Sequence, residues 1–249
     1  MIPNPILKVL STMRTHRVQS LLMGGQACIL YGAAEFSRDT DLAILAEPAN
    51  IERLRAALKE LDASQIALPP LNLDYLKRGH GVHFRCHAPD VTNMRIDVMS
   101  VMRGVEPFDR LWLRRTTVDV GGSVLIELMS LPDLVQAKRT QRDKDWLMIR
   151  RLIEAHYVLN RRAATPEHVA FWLRECRTAE ILVALCSAYP AASKDMPANR
   201  RIVLQAARAG DERGVDQALL AEEAAERELD RNYWLPLKRE LEQLRHTDH

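Results

Sequence analysis

Residues 21–45 read LLMGGQACILYGAAEFSRDTDLAIL, and this stretch decides the fold. The apolar run at 18–23 stops at Gly24-Gly25, the pattern of a buried strand entering a tight turn. Residues 26–31 suit a helix that begins right after the glycines. A second strand is expected at 40–45. Backbone N–H groups at a helix N-terminus are unpaired and partly positive, so Gly24 and Gly25 are candidates to hold a phosphate. Glycine also lets an anion approach the backbone closely. Asp39 and Asp41 lie two apart at the start of the second strand and therefore share a face. Two carboxylates on one face repel unless a cation sits between them, an arrangement suited to Mg²⁺. Ser37, just before them, lines the same turn and is a candidate nucleotide contact.

Working outward, helices are predicted at 4–14 and at 51–61, the latter with Asn50 as N-cap. Strands are predicted at 82–87 and 94–99, joined by Ala88-Pro89-Asp90. Two more flank Gly121-Gly122, at 116–120 and 124–129. Met94-Arg95-Ile96-Asp97-Val98-Met99 is an apolar strand interrupted by one acid. Placed beside 40–45, it would make Asp97 the third carboxylate of a cluster able to hold one or two divalent ions. After about residue 131 the strand pattern ends. Helices are expected at 132–139, 146–159, 166–176, 180–189, 199–209 and 214–245, the last broken by Pro236. The fold class is α+β. A small mixed sheet flanked by helices is expected over 1–160, and an all-helical C-terminal domain over 161–249, with 161–165 as hinge.

Gly-Gly, a helix, Ser-x-Asp-x-Asp and a later single Asp on a strand together resemble the nucleotidyltransferase fold of the DNA polymerase β type. Within it the chain looks most like AbiEii-type proteins, many of them toxins of toxin–antitoxin or phage-defence systems. The resemblance covers about 18–160 and includes Leu131-Pro132-Asp133-Leu134 and the basic segment from Lys138 to Asp145. It implies an NTP-dependent nucleotidyltransferase that releases pyrophosphate. Asp39, Asp41 and Asp97 would be catalytic and would bind Mg²⁺. Gly24 and Gly25 would contact the triphosphate, Lys138 would face the phosphates, and Asp145 would orient the basic segment. The implied acceptor is RNA, such as tRNA, or a protein, and an antitoxin is an implied partner. Departures from the pattern are the missing Gly-x-x-Arg after Gly32, where Ala33, Ala34, Glu35 and Phe36 stand, and Ala43 after the acid pair. They motivate an alternative in which the fold binds a nucleotide or partner without turnover.

Composition narrows the classes. Lys plus Arg number 35 against 33 Asp plus Glu, so no cationic excess exists for unselective nucleic-acid binding. At 47% hydrophobic residues the chain is not disordered. No long apolar run or signal peptide is read in the 249 residues, so a cytoplasmic protein with no membrane span is expected. Cys28, Cys86, Cys176 and Cys186 are scattered, without zinc or disulfide spacing, and are expected to be reduced and buried. His83 and His87 would be about 13 Å apart on a strand, poor joint ligands for one metal. Together with His80 they are assigned to the surface. Between Lys77 and Arg115 eight basic residues face four acidic ones, the makings of a positive rim near the site. Between Asp211 and Arg231 eight acids meet three bases, a surface that could face a basic partner.

Overall fold

A computed structural model describes residues 4–34, 36–121 and 124–247. Glu35 and Gly122, which figured in the expected departures and turn, lie outside the described residues. The chain divides into two compact units. One comprises Met1–Leu30, Ala34–Ala137 and Tyr233–His249; the other comprises Tyr31–Ala33 and Lys138–Asn232. The division therefore falls at 137/138 rather than at 160/161. The helix expected at 146–159 packs with helices that follow it, and the end of the chain belongs with the sheet.

The sheet unit is mixed α+β. Its strands are β1 (Ser20–Met23), β2 (Asp39–Ile44), β3 (Ala63–Gln65), β4 (Val82–Cys86), β5 (Arg95–Met99), β6 (Thr116–Asp119) and β7 (Leu125–Leu128). They form one sheet in the order β3-β4-β5-β2-β1-β7-β6. β2 runs parallel to β5, and β1 runs parallel to β7. The other neighbours are antiparallel. Helices α1 (Asn4–Thr15), α2 (Gly24–Leu30), α3 (Pro48–Glu60), α4 (Leu73–Arg78), α5 (Phe108–Arg114) and α6 (Leu131–Ala137) belong to the same unit. Strand alternation divides the sheet's two faces: Thr40, Leu42, Phe84, Ile96 and Val98 are buried on one. Ile6, Val9, Met13, Leu54, Ala57 and Leu58 on α1 and α3 add to the core. β3, α4 and α5 carry no strong apolar period and were not expected.

Asn50 does not cap α3. The helix starts at Pro48, whose fixed φ suits the first turn. Asn50 is instead buried, accepting from the Gln19 amide at 2.8 Å and donating to the carbonyls of Gln19 (3.1 Å) and Leu45 (2.9 Å). It gives the Gln19 amide its acceptor and adds a donor to two carbonyls that also accept from the Leu45 and Glu47 amides.

The helical unit contains α7 (Asp143–Asn160), α8 (Pro166–Glu175), α9 (Ala179–Ala188), α10 (Pro190–Lys194), α11 (Arg201–Arg208) and the first part of α12 (Glu212–Thr247). Trp146, Ile149, Leu152, Trp172, Leu182, Leu185, Val203, Leu204 and Val215 are buried in it. Thr165 caps α8 by accepting from the His168 amide, with Pro166 in the first turn. Pro236 does not break α12, which runs through it. A proline costs a helix about 3 kcal/mol, and burial of Asp230 before it and Leu237 after it holds the helix on both sides. Among the described residues no helix is long and apolar enough to cross a membrane. None of the four cysteines is in a disulfide, and all four are buried.

Candidate functional site

The two expected acidic strands are neighbours. β2 pairs with β5 in a register that sets Asp41 opposite Asp97 and Asp39 opposite Arg95. Directly opposed residues point to the same face. Asp39, Asp41 and Asp97 therefore share one face, away from buried Thr40, Leu42, Ile96 and Val98. This placement required a parallel pairing between segments 50 residues apart, which no local pattern specifies.

The turn that follows β1 is packed against this face. Gly24 has a φ of +65°. A Cβ there would stand 1.8 Å from Asp41 Oδ2 and 2.4 Å from its Cγ. A Cβ on Gly25 would meet Ser37 Oγ at 2.5 Å. Each glycine thus has a tertiary reason to be glycine, namely the close approach of an acidic-loop side chain. The loop itself is held by buried Gln26, whose Nε2 donates to the Ser37 carbonyl at 2.8 Å.

Asp97 has two further neighbours. His83 lies opposite it on β4, with Nδ1 2.8 Å from Asp97 Oδ1. Arg95 Nε donates to the same oxygen at 2.8 Å. Burial, at 16% side-chain exposure, pushes the Asp97 carboxyl up. The His83 and Arg95 hydrogen bonds and charges outweigh that and leave it below its ordinary value. Arg95 in turn is raised, first by its hydrogen bond to Asp97 and against burial, then by the charges of Asp97, Asp39 and Asp41. The guanidinium is the resident cation of the three-aspartate face.

Hard carboxylate oxygens are the right donors for Mg²⁺, so the donor set fits such an ion chemically. Among the described residues, however, no three His, Cys, Asp or Glu side chains stand together as an enclosure for a metal ion. Asp97 Oδ1 is turned to His83 and Arg95 instead.

Lys138 has its partners within the helical unit. It belongs to the helical unit, nearly buried, with Nζ 3.3 Å from Asp145 Oδ1. Asp145 also accepts from Thr140 Oγ1 (2.6 Å) and Arg142 Nε (2.6 Å). Burial pushes the Asp145 carboxyl up, but the Lys138 charge, Thr140 and Arg142 bring it below its ordinary value. The 138–145 segment joins this network to α8 and α12, through Arg139 with Glu175 and Glu226 and through the Gln141 amide with Asp230.

Two histidine assignments change. His80 is not at the surface: it is 1% exposed, with Nε2 2.7 Å from Glu240 Oε2. His83 stands on the aspartate face. The sequence carried one signal for it, since the short 88–94 turn between two antiparallel strands sets 83 opposite 97. His87 is exposed as expected, with Nε2 2.8 Å from Ser64 Oγ. The acidic 211–231 stretch is largely paired within its own unit. Glu222 meets Arg177 (2.9 Å) and Arg200 (2.7 Å), and Glu226 meets Arg139 (3.4 Å). Glu223 pairs with Arg227.

Compared with known protein families and with curated proteins, the chain matches none.

Proposed function

We propose that the protein is a nucleotidyltransferase, moving a nucleoside monophosphate from an NTP to an acceptor hydroxyl. The observation that carries this reading is the register of β2 and β5, which sets Asp97 beside Asp41 on the face shared with Asp39, next to the Gly24-Gly25 turn. Asp39, Asp41 and Asp97 would hold one or two Mg²⁺ ions, whose chemistry is to neutralise triphosphate charge and lower the pKa of a bound hydroxyl. Backbone N–H groups at the start of α2 orient the leaving phosphates. Asp97, kept anionic by His83 and Arg95, accepts the hydrogen bond of the attacking hydroxyl and aligns it. The hydroxyl oxygen forms a bond to the α-phosphorus as its proton passes to Asp97, the bond from that phosphorus to the bridging oxygen breaks, and pyrophosphate departs. Arg95 and His83 must release Asp97 Oδ1, or share it, for the carboxylate to take a cation. The acceptor classes that fit are RNA, including tRNA, and a protein hydroxyl. A role as toxin or phage-defence component, with an antitoxin as partner, goes with this reading.

The test is incubation with each α-labelled NTP, Mg²⁺ and cell extract, beside Asp39→Ala/Asp41→Ala. Label in RNA or protein that vanishes with the folded double variant supports transfer; equal labelling by the variant sinks it. One observation favours a second reading, a nucleotide-binding module without turnover: the Asp97 carboxylate is already satisfied by Arg95 and His83. Mg²⁺-dependent NTP binding with no labelled product from any extract would select that reading.

A further inference from the structure

The residues beside the aspartates form a second, oppositely charged row. β4 and β5 are antiparallel, with His83 opposite Asp97 and Arg85 opposite Arg95. Continued onto β2, the same rows end in Asp41 and Asp39. Neighbouring strands are about 5 Å apart, so the face changes from basic on β4 to acidic on β2 within two strand spacings. Arg85 and Arg95 directly across from one another are a pairing of like charges, which disfavours the sheet. Arg95 has an answer in Asp97. Arg85 is exposed, and none of the ion pairs among the described residues includes it. An anion placed over the β4–β5 row would neutralise both guanidiniums.

The strand order decides which anion. In the sequence β4-β5-β2-β1, the aspartates stand between the basic row and the Gly24 turn that follows β1. In-line displacement puts the attacking and leaving groups on opposite sides of the transferred phosphorus. With the leaving phosphates at the glycine turn, the attacking group enters from the β4 side. We propose that Arg85, with Arg95 and His83 beside it, forms a subsite for a phosphate ester carried by the acceptor. This rests on the nucleotidyl-transfer reading of the aspartate face. It favours an acceptor hydroxyl with a phosphodiester nearby over a protein side chain. Bidentate guanidinium–phosphate recognition suits arginine here better than lysine.

The experiment is fluorescence anisotropy of the whole protein with a short labelled single-stranded oligoribonucleotide over a salt series, beside ATP binding by displacement of a fluorescent analogue. Arg85→Gln should weaken oligonucleotide binding about fivefold to tenfold and lower the salt slope by about 0.7. Arg85→Lys should recover part of the loss, ATP binding should not change, and the thermal stability of Arg85→Gln should not fall. Wild-type affinity in Arg85→Gln, or no oligonucleotide binding by the wild type, overturns the subsite. A loss confined to ATP also overturns it, because the phosphate is then the nucleotide's. The transfer reading is judged separately, by labelling with Asp39→Ala/Asp41→Ala. Intact labelling with unaltered oligonucleotide binding in Arg85→Gln would discard the subsite and keep the enzyme.

Discussion

Gly24→Ala probes how tightly the acidic face is built. The alanine would have to hold φ at +65°, which costs an L-residue about 1–2 kcal/mol. Its methyl group would also stand 1.8 Å from Asp41 Oδ2, 2.4 Å from Cγ and 2.6 Å from Cβ. Rotating the carboxylate away cannot relieve the last of these contacts, so the turn or β2 must shift. Overpacking of this kind costs about 1–3 kcal/mol. Together the variant should lose about 2–5 kcal/mol in equilibrium denaturation, by a lower midpoint at unchanged denaturant dependence. A double-mutant cycle separates the two parts. In an Asp41→Ala background the two shortest contacts vanish and the φ cost remains, so the double variant should lose about 1–2 kcal/mol less than the sum of the singles. Additive losses, or a Gly24→Ala protein as stable as the wild type, would refute the packing of the turn against Asp41.

Arg200, 2% exposed, donates to the carbonyls of Leu173 and Cys176 and pairs with Glu222. Arg200→Met should cost about 3–5 kcal/mol, read by chemical denaturation; a loss under about 1 kcal/mol would mean that the network is not formed. Asn50→Ala strands the Gln19 amide, while the Gln19 and Leu45 carbonyls keep the Leu45 and Glu47 amides, and should cost about 1–3 kcal/mol, with faster amide exchange at Gln19 as a second readout. Glu60 accepts from His16, Lys8 and Thr12, and His16 first and then Lys8 draw its carboxyl from 4.5 down to about 2. Because the folded value is the lower one, the stability it contributes is present above pH 4.5 and is lost as pH falls toward 2. Glu60→Gln should flatten the stability–pH curve across that window, and identical curves would remove Glu60 from the acid response.

Local pattern made much of the sheet unit legible. Strand, glycine turn, helix and strand over 20–44 follow from an apolar run that ends at Gly24-Gly25 and from the alternation around Asp39 and Asp41. The strand carrying Asp97 was legible for the same reason, one acid among apolar residues. Capping was less so: Asn50 is a good cap by type, yet its side chain serves the Gln19 amide and the carbonyls beside it, and Pro48 starts the helix. Pro236 misled similarly, because propensity counts the lost hydrogen bond and not the packing that holds α12 on either side of it.

What the amino-acid order determined alone was periodicity: which residues alternate, which turn and which face inward. Register and partnership were decided only in three dimensions. That Asp97 meets Asp41, and that His83 stands across from Asp97, depends on the pairing of separate strands. Those contacts were selected by the burial of Leu42, Ile96, Val98 and Phe84 on the opposite face of the sheet. A strand fixes the side on which its acids point, and only the pairing of strands fixes what they point beside.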